Sequence, residues 1–232
     1  MLWTLLIGIV FLIAQVVAAG IYIAFAMRDV PRAKMHDALG TLQFDGLFVS
    51  LCSFASLVVC VPLIIGIVKL KRGSNLKGYL ALHRPSFRQL WRWSLFTVVF
   101  CFLTDGLISL LHQPMVSDFM LKTYANTSPR WLLWLALAVA APVFEEICFR
   151  GFIFTGLAES RLRWQGATLI TSLLWASIHV QYDWYGMATI FALGLVLGTA
   201  RAITNSTLLT MSLHCLINVL ATVETAIALG RL

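Results

Sequence analysis

The sequence predicts an all-α, polytopic transmembrane helical bundle of about seven spans, with eight as the alternative. Three observations predict it. Of the 232 residues, 60% are apolar and 12% charged, with a mean hydropathy of +0.88, far from the balance of ordinary globular domains. Apolar stretches of about the 20 residues needed to cross a hydrocarbon core fall at roughly 2–26, 43–68, 93–112, 131–157, 166–182, 185–200 and 206–229. The segments between them are too short to hold a core, so no soluble domain is left over, and no internal repeat is visible.

Taken in order, the first span begins at Met1 without a basic n-region or a clear small-residue cleavage site, and is read as a retained helix rather than a signal peptide. After the second span comes the segment 69–92, which carries Lys69, Lys71, Arg72, Lys77, Arg84, Arg88 and Arg92 and no acid. That charge equals the whole net +7 of the chain. The positive-inside rule places it in the cytoplasm. A basic loop can also suggest nucleic acid or acidic lipid, but a solvated topogenic loop is the simpler reading, and no nucleic-acid partner is expected. By this count the N-terminus and the 158–165 turn lie inside, and the loop from His112 to Arg130 lies outside. Arg28, Arg32 and Lys34 then fall on the outer side, a mild conflict. These first 125 residues supply helices and a basic loop but no chemical motif. The five cysteines, Cys52, Cys60, Cys101, Cys148 and Cys215, sit in apolar spans without metal-ligand spacing and are read as small buried hydrophobes.

The fourth span contains "APVFEEICFRGF", residues 141–152. Each mid-membrane charge costs about 2.5–3.5 kcal/mol, whereas each large aliphatic residue contributes only about 0.3–0.6. Glu145, Glu146 and Arg150 together cancel most of the apolar drive of their own span, so they must face other helices or water. Glu146 and Arg150 stand at i and i+4 with the acid first, the favourable order for an intrahelical ion pair. Glu145 points about 100° away around the helix and stays available as a general base. Pro142 removes a backbone donor and frees a carbonyl one turn back, which can kink the span and admit water.

Two later spans add polar partners. Trp175 and His179 are one helical turn apart in "LLWASIHV", and His214 and Asn218 share a helix face in "MSLHCLIN". A lone membrane histidine is usually a packing residue, but two histidines and an amide on separate spans point to a convergent site with the acids. Straight-helix depth is at odds with this, since it puts His179 nearer the outer end than Glu145 and His214. Asp45, Asp105 and Glu224 read as single packing or span-edge acids.

The order E-E-x-x-x-R (Glu145, Glu146, Arg150), aromatic-x-x-x-H (Trp175, His179) and H-x-x-x-N (His214, Asn218), each on its own span, resembles the CPBP (Abi) family. That family holds the type II CAAX prenyl endopeptidases, bacteriocin-processing enzymes and relatives linked to bacteriocin immunity. The resemblance covers roughly 130–225, so residues 126–232 are taken as the catalytic core. Trp175 departs from the phenylalanine common in the family. The resemblance implies an intramembrane endopeptidase in which Glu145 and His179 activate a water and His214 and Asn218 stabilise the oxyanion. Arg150 would then hold Glu146. The family has been described as metalloproteases, and Glu145, His179 and His214 could hold Zn²⁺. The H-E-x-x-H helix of zincins is absent, however, and Asn218 is a poor zinc ligand, so a metal-free mechanism is favoured. Serine-elbow and paired-aspartate chemistries find no motif. The expected partners are a peptide or protein substrate at the membrane, namely a prenylated CAAX-type protein, a leader peptide or a membrane protein, and the lipid bilayer itself. The expected location is a bacterial inner membrane. The rival classes are a non-catalytic immunity or partner-binding protein and a small transporter.

Overall fold

The computed structural model describes residues 2–231, whose regular structure is all helical, with no strand among them. In chain order the helices are α1 (Leu2–Ala26), α2 (Arg32–Thr41), α3 (Gly46–Leu70), α4 (Leu76–Tyr79), α5 (Phe87–Leu110) and α6 (Asp118–Ala125). They continue as α7 (Arg130–Ala158), α8 (Arg163–Ser177), α9 (Trp184–Thr204) and α10 (Thr207–Ala228). Helices α1, α3, α5, α7, α9 and α10 are long and apolar enough to cross a membrane, and the chain is an integral, multi-pass membrane protein. The seventh expected span, 166–182, is the 15-residue α8, only about 22 Å long at 1.5 Å per residue and so shorter than a hydrocarbon core. The expected external loop from His112 to Arg130 contains the short helix α6, capped by Ser117.

The N-terminal pair is α1 against α3. Ile7, Ala14 and Ala18 are the buried residues of α1, and Gln15 donates to Ser56 Oγ at 2.9 Å across the contact. Asp45 is a structural acid, as expected. It caps α3 by accepting from Leu47 and Phe48 N–H and takes the Tyr22 hydroxyl at 2.6 Å. The seven basic residues of 69–92 are exposed, but the backbone between them is anchored. Leu80 and Ala81 are buried, and their carbonyls accept from Thr207 Oγ1 at 2.6 Å and Thr207 N–H at 2.9 Å, which ties the loop to the start of α10.

Helix α9 lies against α8 through small residues. A Cβ at Gly194 would meet Ser172 at 2.9 Å, and one at Gly198 would meet Thr168 at 2.8 Å. Gly194-x-x-x-Gly198 thus faces Thr168-x-x-x-Ser172, the close-approach pattern of membrane helix pairs. The main core joins Ile7 of α1 and Cys60, Ile64 and Val68 of α3 to Phe144, Cys148 and Phe152 of α7, Trp175 of α8 and Leu213 of α10. All five cysteines are unpaired and buried or half-buried within the fold.

Helix α7 is the axis of the bundle. Half of its apolar window is buried, and it is not a regular α-helix. Ala136–Ala140 and Glu146–Ile153 are π-helical, a wider winding that occurs mostly as short insertions at functional sites.

Candidate active site

The acidic pair divides as its helical spacing predicts. Glu146 and Arg150 are completely buried, with Arg150 Nη1 donating to Glu146 Oε1 at 2.9 Å. The same oxygen lies 3.0 Å from His214 Nδ1 on α10. Arg150 Nη2 reaches the Gly194 carbonyl at 3.4 Å, and its guanidinium stands 4.5 Å over the Trp175 ring. Three helices are therefore locked to α7 through two charges. Buried charges persist only when paired and hydrogen-bonded in this way.

Glu145 faces elsewhere. It lines a cavity of about 330 Å³ together with Trp175, His179, His214 and Asn218. It has a partner that helical spacing alone does not reveal: the Trp175 indole N–H donates to Glu145 Oε2 at 2.5 Å. His214 Nε2 is 3.9 Å from the same oxygen. His179 Nδ1 lies 2.7 Å from the Trp175 carbonyl. A carbonyl can only accept, so Nδ1 carries the proton and Nε2 is left free. Glu146 likewise fixes a proton on Nδ1 of His214, because a carboxylate accepts from Nδ1–H. The depth conflict over His179 disappears because α8 is short. It ends at Ser177, and His179 follows in the loop, within ring contact of Trp175 at 5.3 Å.

Asn218 is engaged on one side, its Nδ2 donating to the Leu137 carbonyl at 2.7 Å. Leu137 precedes Pro142 by one π turn, and Pro142 has no N–H to return. The freed carbonyl expected from Pro142 is thus satisfied by Asn218, and the second amide hydrogen is what remains for a ligand.

Sequence reasoning misses three features. Arg201 of α9 is buried, donating from Nε to the Arg150 carbonyl at 3.0 Å and from Nη1 to Asn205 at 2.8 Å. A lone arginine at the end of an apolar span is itself a signal. Asp105 and Glu224 are not isolated acids: their carboxyl groups lie within hydrogen-bonding reach of each other on the wall of the same cavity. Tyr182, in the loop after α8, also lines it. Its phenol is held protonated to unusually high pH, first by burial and second by the Glu145 charge.

A zinc centre needs three convergent donors with an open position. Among the described residues no three His, Cys, Asp or Glu groups are placed to hold an ion, so Glu145, His179 and His214 as arranged do not fit one.

Fold and site together define a multi-pass helical membrane protein with an acid–histidine cluster between its helices. Residues 126–220, a segment that contains every residue of the cluster, match the family described as type II CAAX prenyl endopeptidase Rce1-like. The chain is also similar to a protein of Escherichia coli titled "Uncharacterized 24.3 kDa protein", at 37% identity over 119 residues, 49% of this chain and 52% of the relative. The chain thus spans about half the length of that curated relative. No solved structure matches.

Proposed function

We propose that the protein is an intramembrane endopeptidase that hydrolyses a peptide bond with a water activated by Glu145. The observation that carries this reading is the convergence of Glu145, His179, His214 and Asn218, from α7, the end of α8 and α10, on one cavity. Glu145 takes a proton from water as the oxygen attacks the carbonyl carbon, assisted by the free Nε2 of His179. His214, as an imidazolium whose Nδ1–H is held by Glu146 and whose Nε2–H is left to donate, and the second amide hydrogen of Asn218 stabilise the oxyanion, an arrangement worth several kcal/mol where water is excluded. The proton held by Glu145 then goes to the leaving amine. Glu146 and Arg150 do not touch substrate. They hold His214 and the helices around it.

The Rce1-like match favours a prenylated CAAX-type substrate, with a leader peptide or membrane protein as the other peptide sources, and the likeness to an Escherichia coli protein favours a bacterial inner membrane as the location. The mechanism uses no metal, and cleavage is expected to survive exhaustive chelation; loss on chelation with recovery on adding Zn²⁺ would overturn that part. The main test compares new protein N-termini in membranes carrying the wild type, the Glu145→Gln variant or neither. N-termini that appear with the wild type and vanish with Glu145→Gln at equal protein level support the reading. Undiminished cleavage by the variant sinks it, and the same variant assayed for ion flux and for protection against a bacteriocin separates the two rival classes.

A further inference from the structure

Neither the Arg150 nor the Glu146 side chain hydrogen-bonds to the Glu145 carboxylate, so the ion pair does not fix the carboxylate that activates water. We propose that Trp175 is the positioning residue of the water-activating pair, setting Glu145 through its indole N–H and His179 through its backbone carbonyl. The inference rests on the assignment of Glu145 and His179 made above.

The side chain is itself immobilised. Trp175 is only 3% exposed. One face of the indole carries the Arg150 guanidinium at 4.5 Å, and the His214 and His179 rings meet it nearly edge-on at 5.0 and 5.3 Å, with interplanar angles of 78° and 79°. An indole clamped by a cation and two imidazoles cannot swing its N–H away. That N–H takes Glu145 Oε2 at 2.5 Å, the oxygen nearest His214. With Oε2 engaged, Oε1 is the oxygen left to receive a proton from water. A rotating carboxylate would present either oxygen, and a general base works by geometry before strength.

The backbone half of the device is insensitive to side-chain substitution, because any residue at 175 offers the same carbonyl to His179. The side-chain half is not. Phenylalanine would keep an aromatic face for Arg150 and the imidazoles but has no N–H to offer. The tryptophan at this place therefore adds a donor that a purely aromatic residue lacks.

The test separates donor from bulk. Trp175→Phe, and the isosteric replacement of Trp175 by benzothienylalanine, which exchanges the N–H for sulfur, are compared with wild type on a fluorogenic peptide spanning a Glu145-dependent cleavage site. Both are expected to lower kcat about tenfold, equivalent to about 1.4 kcal/mol in the barrier, with KM within twofold; the thermal midpoint is expected to fall in Trp175→Phe, which leaves a cavity, and to stay near wild type in the isosteric variant. In parallel, the indole ¹H–¹⁵N resonance of Trp175 in detergent micelles is expected to move upfield in Glu145→Ala while the other tryptophans stay in place. Wild-type kcat in both Trp175 variants, with Glu145→Gln inactive, overturns the positioning role and leaves the endopeptidase reading standing. An indole resonance unmoved by Glu145→Ala overturns the contact whatever the cleavage assays show. Cleavage that persists in Glu145→Gln instead sinks the endopeptidase reading itself.

Discussion

Helices α5 and α7 are of similar length and both read as membrane spans, yet only 6% of the α5 window is buried inside the protein against 50% of the α7 window. Thr97 is the single buried residue of α5. In α7 the buried set includes Pro142, Phe144, Glu146, Arg150 and Phe152. Mean hydropathy cannot tell the two apart, because it sums over faces. What differs is the surroundings: α5 turns most of its surface outward, whereas α7 is enclosed by protein along its middle. The chemistry follows, since two charges can be kept in the membrane only where neighbouring helices supply their partners.

The sharpest way to break this contrast is Arg150→Met. It leaves the Glu146 charge buried beside His214 without its guanidinium, and the expected loss is about 3–5 kcal/mol, read as a fall in the thermal midpoint in detergent. Arg92→Met, exposed near the start of α5, is expected to stay within about 0.5 kcal/mol of wild type. Equal midpoints for the two variants would remove the distinction between a helix held at its centre and one that is not.

Next in size are glycine substitutions, for which the two regions predict opposite signs. Gly194→Val drives a side chain into Ser172, already 2.9 Å from the first added carbon, and displaces the carbonyl that Arg150 uses. Overpacking of this kind costs about 1–3 kcal/mol. Gly106→Ala on α5 meets nothing within 4 Å and is expected to stabilise by up to about 1 kcal/mol from helix propensity alone. Asn218→Ala falls in the same range as Gly194→Val, about 1–3 kcal/mol, because it strands the Leu137 carbonyl that Pro142 cannot serve. A midpoint unchanged in Asn218→Ala would mean that this carbonyl finds another donor.

The difference between the two helices also explains which features are legible in the amino-acid sequence. The spans are legible because lipid demands a length and an apolar average, and six of the seven expected ones are span-length helices. The Glu146–Arg150 pair is legible because i,i+4 spacing is local. Trp175 as a donor to Glu145 is not, because tryptophan in an apolar span counts as apolar, and the polar edge of the indole matters only once a carboxylate from another helix arrives. The contact between Asp105 and Glu224 and the capture of the Leu137 carbonyl by Asn218 join α5 to α10 and α10 to α7, and no periodicity within one helix reports on either. Depth fails for His179 because the 15-residue α8 ends at Ser177, so His179 lies in the following loop and not on a straight span.

The smallest effect tests how much α5, so little enclosed by protein, depends on its N-terminal cap. Its N-terminus carries a full capping box: Ser86 Oγ accepts from Gln89 N–H at 3.2 Å, and Gln89 Oε1 accepts from Ser86 N–H at 2.8 Å. Ser86→Ala removes the first of these and is expected to cost about 1 kcal/mol. The loss should appear first as faster amide exchange over Phe87–Trp91 and only weakly in the thermal midpoint, because the first turn can fray into water while the lipid-facing body stays helical. Exchange that instead accelerates along the whole of α5 would show that the cap carries the helix. A lipid-facing span would then be less stable on its own than its hydropathy implies.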